Sequence, residues 1–379
     1  MNWKIPLADV DIGPEEVAAV QKVLQRGWLT MGDETSAFEE AFAQRVNAKQ
    51  AIALASCTAA LHLACLALKL GPGDEVIVPS LSFVATANAV RYTGATPIFA
   101  DIVSDFDLNI SAEAIVASIT PRTRAIIVMH YAGYACDMPA IMDIAERHNL
   151  HIIEDAAHAP GATLEDKALG TWGIMGCFSF FSNKNMTTGE GGMIVTNDDT
   201  LAQQLRYLRS HGMTTVTWDR HQGHAWSYDV VATGYNYRID EMRSALGRVQ
   251  LGKLDANNAL RERLNAQYVQ LLQEKAPEIT IPFREHRGQP AYHIRPILVP
   301  EGIDRRGFMA MMKQSGIQTS IHYPPIHQFE SYQELAEGVC LPITENVCAR
   351  EVTLPLFPRM KAEDVNFVVQ TCVEALDCL

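Results

Sequence analysis

Residues 51–79 read AIALASCTAALHLACLALKLGPGDEVIVP and contain the pattern that decides the fold. The short apolar run Ala51–Leu54 is followed by a small polar turn and then by a helical stretch at Thr58–Lys69. A glycine-containing turn leads into a second run, Glu75–Pro79. Both runs are almost continuously apolar, which is typical of strands in a sheet that is covered on both faces. The segment therefore predicts a strand–helix–strand unit.

The same alternation continues toward the carboxyl terminus. Further strands are predicted at Pro97–Asp101, Arg124–His130, Leu150–Glu154, Cys177–Phe181 and Gly192–Thr196. Helical patterns lie between most of them, at Ser82–Tyr92, Ala112–Ile119 and Pro139–Asn149. The last two strands are separated by a glycine-rich turn instead of a helix, so the sheet is expected to be mixed. The fold class is α/β, a three-layer α/β/α domain with a mainly parallel sheet.

The remaining chain predicts a second, smaller unit. A helix is expected before the sheet, at Pro14–Arg26, and residues 210–237 form an irregular aromatic segment that suits a functional or interface loop better than a linker. A long helical pattern starts at Ile239. Beyond about residue 255 we expect strands at Ile279–Pro282 and Tyr292–Val299 and helices at Arg305–Gln314 and Ala362–Ala375. We therefore divide the chain into a large domain, 1–250, and a small α+β domain, 251–379.

Composition excludes several classes of protein. The 379 residues are 48% hydrophobic and carry a formal charge of −13, so a disordered chain or a general nucleic-acid binder is not expected. The eight cysteines form no CxxC pair, which suits reduced thiols. The apolar run 51–70 is long enough to imitate a membrane span, but the turn at 56–58 divides it. With no signal-peptide pattern at the amino terminus, we expect a soluble cytoplasmic protein without a membrane partner.

The turn Ser56–Ala60 opens a helix with small residues. The chain has neither GxxxxGK[ST] nor, after the first strand, GxGxxG, so P-loop and Rossmann nucleotide sites have no support. Small residues at a helix start nevertheless allow backbone N–H groups to approach a phosphate. An ordinary Ser/Thr cap is the alternative.

Two further groups lie at predicted strand ends. Asp155, in EDAAHA at 154–159, could meet a cationic ligand, or it could simply cap a helix. Lys184 follows an apolar strand and precedes a glycine-rich turn. A lysine in a low-dielectric site becomes an amine nucleophile, whereas a solvated loop lysine does not. Together a phosphate site, an acid and such a lysine are the set that pyridoxal phosphate requires.

The chain resembles the DegT/DnrJ/StrS family of pyridoxal-phosphate sugar aminotransferases, which have the fold type I of aspartate aminotransferase. The resemblance runs almost from end to end, from GWLTMG at 27–32 to HYPPIH at 322–327. It rests on the joint occurrence of SCTAAL at 56–61, PSLSFVATANAV at 79–90, EDAAHA, FSFFSNKNMTTGEGG at 178–192 and GYNYRIDEMRSALG at 234–247. One departure is Cys57, where many relatives have Gly.

The resemblance implies a role for each matching residue. Lys184 would form the Schiff base with pyridoxal 5′-phosphate and move the proton, and Asp155 would pair with the ring nitrogen. The other implied cofactor contacts are Phe83 stacked on the ring, His158 near its phenolic oxygen, Thr58, Ala59 and Ser179 at the phosphate, and Asn236 reaching the phosphate of the neighbouring subunit. A homodimer with shared active sites follows. His322 and Tyr323 would lie near the substrate entrance, and no metal is implied.

The implied reaction is a ping-pong transamination from an amino acid, L-glutamate by family habit, to a keto-sugar that is usually nucleotide-linked. Amination of a cyclitol or of a sugar without a nucleotide is an alternative on the same scaffold. A sugar dehydratase of this family would have His in place of Lys184. A cofactor-binding sensor without turnover is the alternative from another class. Three histidines, His211, His221 and His224, give only a weak metal pattern.

Overall fold

The computed structural model describes residues 3–215, 223 and 227–379. The amino-terminal elements are, in order, α1 (Pro14–Arg26), α2 (Asp33–Val46), β1 (Gln50–Leu54), α3 (Cys57–Ala67), β2 (Glu75–Pro79), α4 (Ala85–Tyr92), β3 (Thr96–Ala100), α5 (Ala112–Ser118), β4 (Thr123–Met129), α6 (Met138–His148) and β5 (His151–Asp155). They are followed by β6 (Thr163–Leu164), β7 (Lys167–Ala168), β8 (Met175–Ser179), β9 (Gly192–Thr196), α7 (Asp199–Arg209), α8 (Glu241–Lys275), β10 (Arg295–Leu298), α9 (Arg305–Gln314), α10 (Pro342–Arg350), β11 (Glu351–Leu354) and α11 (Ala362–Asp377).

Seven strands form the main sheet, in the order β1-β9-β8-β5-β4-β2-β3. Neighbouring strands from β8 to β3 are parallel, while β9 is antiparallel to both of its neighbours. The glycine-rich turn between β8 and β9 reverses the chain directly, whereas a parallel connection would have needed a crossover. The predicted mixed, mainly parallel sheet is confirmed.

Both faces of this sheet are covered, as the apolar strands predict. Along β1, Ile52 and Leu54 pack into a core that includes Leu61 of α3, on one face. Ala51 and Ala53 pack on the other face, in a core that includes Phe38 of α2. The alternation of partners along one strand shows that apolar side chains are needed on both sides. This gives the three-layer α/β/α arrangement.

The parallel strands bring three carboxyl ends together. Met129, the last residue of β4, is in register with Asp155, the last residue of β5. Asp155 is in turn in register with Cys177 of β8, two residues before that strand ends. Ligands of open α/β sheets bind outside such ends. The sheet therefore sets the position of a site beside Asp155.

Helix α8 is 35 residues long and packs against α1, α2 and α11. It passes unbroken through position 250, where the sequence pattern places the division between two domains. That division remains a prediction. Among the described helices, none combines the length and the apolar character that crossing a bilayer requires.

Several elements were predicted wrongly, incompletely or not at all. Residues 279–282 form no strand: a single bridge joins Thr280 to Leu298, and Pro282 has no N–H to extend it. The strand expected at 292–299 is shorter, Arg295–Leu298, and Tyr292 has a positive φ of 51°, which a strand residue does not adopt. Its partner β11 was not predicted, nor were α2, α7 and α10, and α4 begins three residues later than expected.

Candidate active site

A cavity of about 380 Å³ opens beside the carboxyl ends of β5 and β8. The predicted site residues on its wall are Thr58, Phe83, Asp155, His158, Ser179, Lys184, His322 and Tyr323. The cavity therefore gathers side chains that are more than a hundred positions apart in the sequence. Ala59 and Asn236 do not lie on the wall.

Lys184 lies in the turn after β8, where its backbone N–H donates to the carbonyl of Phe181 at 2.9 Å. Its Nζ lies 3.4 Å from Nε2 of His293. Burial lowers the pKa of Lys184 to about 8, although the negative charge of Asp155 acts in the opposite direction. At neutral pH, about one lysine in ten is then an uncharged amine, against fewer than one in a thousand for a solvated lysine. Lys184 is thus prepared to act as a nucleophile.

Asp155 ends β5 with its carboxylate buried at the cavity. Its Oδ2 accepts a hydrogen bond from Oγ1 of Thr86 at 2.7 Å, and its Oδ1 accepts one from the N–H of Ala157 at 3.2 Å. Burial raises the pKa of Asp155, while these bonds and Lys184 lower it. Both hydrogen-bond partners are neutral, so a cationic N–H group in the cavity would be a favourable additional partner.

Glu154, the neighbour of Asp155, faces the opposite side of the strand. Its two oxygens accept hydrogen bonds from the N–H groups of Gly170 and Gly173, at 2.6 and 2.7 Å, and from His130 at 3.0 Å. Neighbouring residues of a strand point to opposite faces. Glu154 and His130 therefore stabilise the scaffold, and His130 is a packing residue.

The Ser56–Ala60 turn opens α3 against the cavity. Ser56 is the amino-terminal cap, since its Oγ accepts from the N–H of Ala59 at 3.1 Å. A Cβ on Gly192 would lie 2.4 Å from the carbonyl carbon of Ser56 and 2.6 Å from the N of Cys57, so only glycine allows β9 to approach this closely. The phosphate role of Ala59 remains a prediction.

His158 is buried and linked to Tyr323. Its Nδ1 accepts from the N–H of Ala132 at 3.3 Å, and its Nε2 lies 3.0 Å from the Tyr323 hydroxyl. Burial, together with the charge of Lys184, holds the pKa of His158 well below its usual value, so the ring is neutral. A neutral ring that accepts at Nδ1 carries its hydrogen at Nε2 and donates it to the Tyr323 oxygen. The hydroxyl hydrogen of Tyr323 is then available to a molecule in the cavity.

His322 reaches the cavity from the carboxyl-terminal part of the chain. Its Nδ1 lies 2.8 Å from Oγ1 of Thr353, and its backbone N–H donates to Glu351 at 2.8 Å. Burial and the charge of Lys184 lower the pKa of His322 to about 4, while burial raises the pKa of Glu351 to about 8. His322 is therefore a neutral, oriented ring at neutral pH.

Phe83 and Asn236 occupy different positions relative to this cavity. Phe83 is 54% exposed on the wall, 5.8 Å from the ring centre of Tyr323, and presents a face to a flat ligand. Asn236 is exposed and forms a bridge with Ser210.

No group of three metal-ligating side chains occurs within the described ranges. Two histidines of the weak metal pattern, at 221 and 224, lie outside them.

Sequence reasoning missed three residues at this site. Thr86 binds Asp155, His293 contacts Lys184, and Asn183 lies on the wall. Thr86 could have been found, because it lies inside the motif at 79–90 that carries the resemblance. A single histidine at position 293 gives no signal of its own.

These residues fit pyridoxal phosphate. The cavity has a half-buried lysine amine, a buried carboxylate, a helix start with hydroxyl groups, and an exposed aromatic ring. In addition, Oδ1 of Asn183 is buried on the wall and has no hydrogen-bond partner among the residues that the structure describes. Buried polar atoms are normally paired, so this oxygen is available to accept a hydrogen bond from a molecule in the cavity.

Comparisons with known proteins agree with this geometry. The model of the DegT/DnrJ/EryC1/StrS aminotransferase family matches residues 10–373. The spore coat polysaccharide biosynthesis protein SpsC of Bacillus subtilis (strain 168) is 40% identical over 377 residues, which cover 98% of this chain and 95% of SpsC.

Two solved structures have the same fold. PseC of Helicobacter pylori, an aminotransferase involved in the biosynthesis of pseudoaminic acid, has a TM-score of 0.92 and 29% identity, covering 99% of this chain and 100% of PseC. The PLP form of Spr1654 of Streptococcus pneumoniae, a sugar aminotransferase by its description, has a TM-score of 0.91 and 26% identity, covering 99% of each chain. With a family match over nearly its whole length, the chain belongs to the DegT/DnrJ/EryC1/StrS aminotransferase family and is a pyridoxal-phosphate-dependent aminotransferase.

Proposed function

We propose that this enzyme transfers the amino group of L-glutamate to a nucleotide-linked keto-sugar by a ping-pong mechanism. The observation that carries the proposal is the presence of a half-buried Lys184 and a buried Asp155 on the wall of one cavity. When bound, pyridoxal phosphate supplies an aldehyde that takes up the amino group and a protonated ring that withdraws electrons.

The chain's own residues would divide the work. Asp155 holds the proton on the ring nitrogen, and the hydroxyl of Thr86 keeps the carboxylate in place. Thr58 and Ser179, at the start of α3 and the end of β8, bind the phosphate. Lys184 would act as the nucleophile toward the aldehyde, and its Nζ would also accept and return a proton during the transfer. Such acid–base work contributes about 10² to 10⁴ in rate.

The ping-pong order is supported by the single set of reactive groups on the cavity wall, since the amino donor and the acceptor would both need Lys184. They would then bind one after the other. His322 and Tyr323 bring neutral hydrogen-bonding groups to the wall, which suits the hydroxyl groups of a sugar. The relatives add support for a sugar acceptor, since SpsC is named for polysaccharide biosynthesis and PseC for pseudoaminic acid.

A visible spectrum of the purified holoenzyme tests the donor half of the reaction. We expect a yellow band that bleaches when L-glutamate is added and returns when an acceptor keto-sugar follows. If the band persists with glutamate but bleaches with another amino acid, that amino acid is the donor in place of glutamate. A band that no amino acid bleaches would support a sensor without turnover, and a colourless protein that pyridoxal phosphate cannot restore would overturn the proposal.

The acceptor is tested on enzyme that glutamate has already bleached. Nucleoside-diphosphate keto-sugars, free keto-sugars and keto-cyclitols are compared for the rate at which they restore the yellow band. We expect only the nucleotide-linked sugars to restore it at low concentration. Faster recovery with a free sugar or a cyclitol would assign the enzyme to that substrate class instead.

A further inference from the structure

His293 lies behind Lys184 and is 2% exposed. Its backbone is held on both sides: its N–H donates to the carbonyl of Ala132 at 2.8 Å, and its carbonyl accepts from Arg261 at 3.1 Å. Its ring nitrogens contact two neighbouring residues, with Nδ1 2.9 Å from Oδ1 of Asn185 and Nε2 3.4 Å from Nζ of Lys184. The ring thus connects the reactive amine to a buried amide.

Two backbone carbonyls fix the direction of the hydrogen bonds that join Asn258, Asn185 and His293. Asn258 donates from Nδ2 to the carbonyl of Pro160 at 3.0 Å, so its Oδ1 is an acceptor. Asn185 donates from Nδ2 to that oxygen at 2.7 Å and to the carbonyl of Ala291 at 2.6 Å. Because carbonyls only accept, neither amide can be reversed without losing a bond. The Oδ1 of Asn185 must therefore accept from His293.

The hydrogen of the neutral His293 ring consequently lies on Nδ1, and the lone pair of Nε2 faces Lys184. Burial holds the pKa of His293 well below its usual value, and the charges of Lys184, His158, Arg261 and His322 act in the same direction. The ring is therefore an acceptor toward the lysine. An uncharged amine that donates one hydrogen to Nε2 has its own lone pair directed elsewhere.

We propose that His293 is a positioning residue, which accepts one N–H of Lys184 and so directs the amine lone pair into the cavity. The inference rests on the proposed role of Lys184 as nucleophile. His293 needs no change of charge for this function, and Asn185 and Asn258 keep its ring in the required tautomer. A reacting group that is held in the right direction gains rate without gaining binding.

The test separates covalent capture from binding. Apoenzyme is mixed with pyridoxal 5′-phosphate at a pH where the amine is uncharged, and the growth of the yellow band gives the rate at which Lys184 joins the aldehyde carbon with loss of water. Binding of pyridoxamine 5′-phosphate, which has no aldehyde, is titrated separately. For His293→Asn, which keeps a donor toward Asn185 but removes the group facing Lys184, we expect capture to slow by about 10- to 100-fold.

Three comparisons make the result decisive. The positioning role requires unchanged pyridoxamine phosphate affinity in His293→Asn and partial recovery of the capture rate in His293→Gln, whose amide oxygen can face Lys184. His286→Asn, at an exposed histidine away from the cavity wall, is the matched control and should behave like the wild type. Equal loss of capture and of pyridoxamine phosphate affinity, or unchanged capture in His293→Asn, would overturn the inference. Failure of the wild type to capture the aldehyde would instead overturn the role of Lys184.

Discussion

Lys184 and Asp155 show how burial creates reactivity at the scale of single residues. Desolvation lowers the pKa of the lysine and raises the pKa of the aspartate, while each charge partly compensates the other. The same cavity therefore contains an amine that loses its proton easily and a carboxylate that needs a cationic partner. A lysine in water holds its proton firmly at neutral pH, and an aspartate in water needs no cationic partner. Both properties therefore come from the surroundings and not from the residue type.

The lysine predicts a pH dependence for cofactor capture. Only the uncharged amine attacks an aldehyde, and the pKa of Lys184 is about 8. The capture rate of the apoenzyme should therefore rise about tenfold per pH unit below 8 and level off above it. Stopped-flow absorbance over a pH series measures this. A rate that still rises about tenfold between pH 8 and pH 9 would show that the lysine is solvated instead, because the pKa of a solvated lysine is about 10.4.

These residues also show what sequence can predict. Lys184 and Asp155 follow apolar strands, so their place at strand ends could be derived, and the resemblance then assigned their roles. His293 could not be found in this way, because its contact with Lys184 depends on how a segment 109 residues away folds over the cavity. Long-range contacts of single residues leave no periodic pattern in a sequence.

At the scale of elements, α4 supports the site by its first turn. Oγ of Ser82 lies 2.7 Å from Oγ1 of Thr86, which donates to Asp155. The sequence predicted a helix over Ser82–Tyr92, whereas the helix begins at Ala85. The residues before it form instead the turn that brings Phe83 to the wall.

Removal of the hydrogen bond from Thr86 to Asp155 should weaken cofactor binding. Thr86→Val keeps the shape of the side chain but loses the hydrogen bond to a charged group, which is worth about 1.5–3 kcal/mol. We expect the affinity for pyridoxal phosphate, measured by absorbance titration, to fall about tenfold or more. Thr93→Val is the control, because the Thr93 hydroxyl, at the other end of α4, bonds to the nearby backbone groups of Val90 and Ala95 and lies away from the cavity wall. Equal affinities in both variants would exclude this function of Thr86.

The close approach of β9 to α3 is the second feature at this scale. Gly192→Ala should reduce the free energy of unfolding by about 1–3 kcal/mol, since its Cβ would collide with backbone atoms that cannot move independently. Gly252→Ala, on an exposed part of α8 where a Cβ meets nothing within 4 Å, should instead add about 0.5–1 kcal/mol. Urea unfolding of both variants measures the difference. If Gly192→Ala were as stable as Gly252→Ala, the strand and helix would not be in the contact described.

At the scale of the whole molecule, we propose that two chains share their active sites. Asn236 is exposed and absent from the cavity wall of its own chain, although the resemblance assigns it to a phosphate. A side chain of this kind can serve a symmetric partner. Exposed apolar side chains at Tyr228, Val230 and Val231, in the same segment, are consistent with a covered surface.

A mixing experiment tests the shared site. Lys184→Ala and Asn236→Ala enzymes are each expected to be inactive or weakly active. When the two are unfolded, mixed and refolded together, random pairing gives mixed dimers in which one site has both native residues, about one quarter of all sites. Recovery of activity to about that level supports sharing. No recovery would mean that Asn236 acts within its own chain or in neither site, and a monomer in sedimentation would also exclude sharing.

The course of α8 has a consequence for how the molecule melts. Its buried residues extend from Glu241, beside α2, to Leu272, among the core residues of the carboxyl-terminal part. Helix α8 is thus one continuous helix that contributes buried residues to both cores. When heating unfolds either core, the half of α8 that packs in that core becomes exposed to solvent. Because helix formation is cooperative, this destabilises the other half of α8 as well. The two units that the sequence pattern separates should therefore unfold together, and calorimetry should record a single cooperative transition.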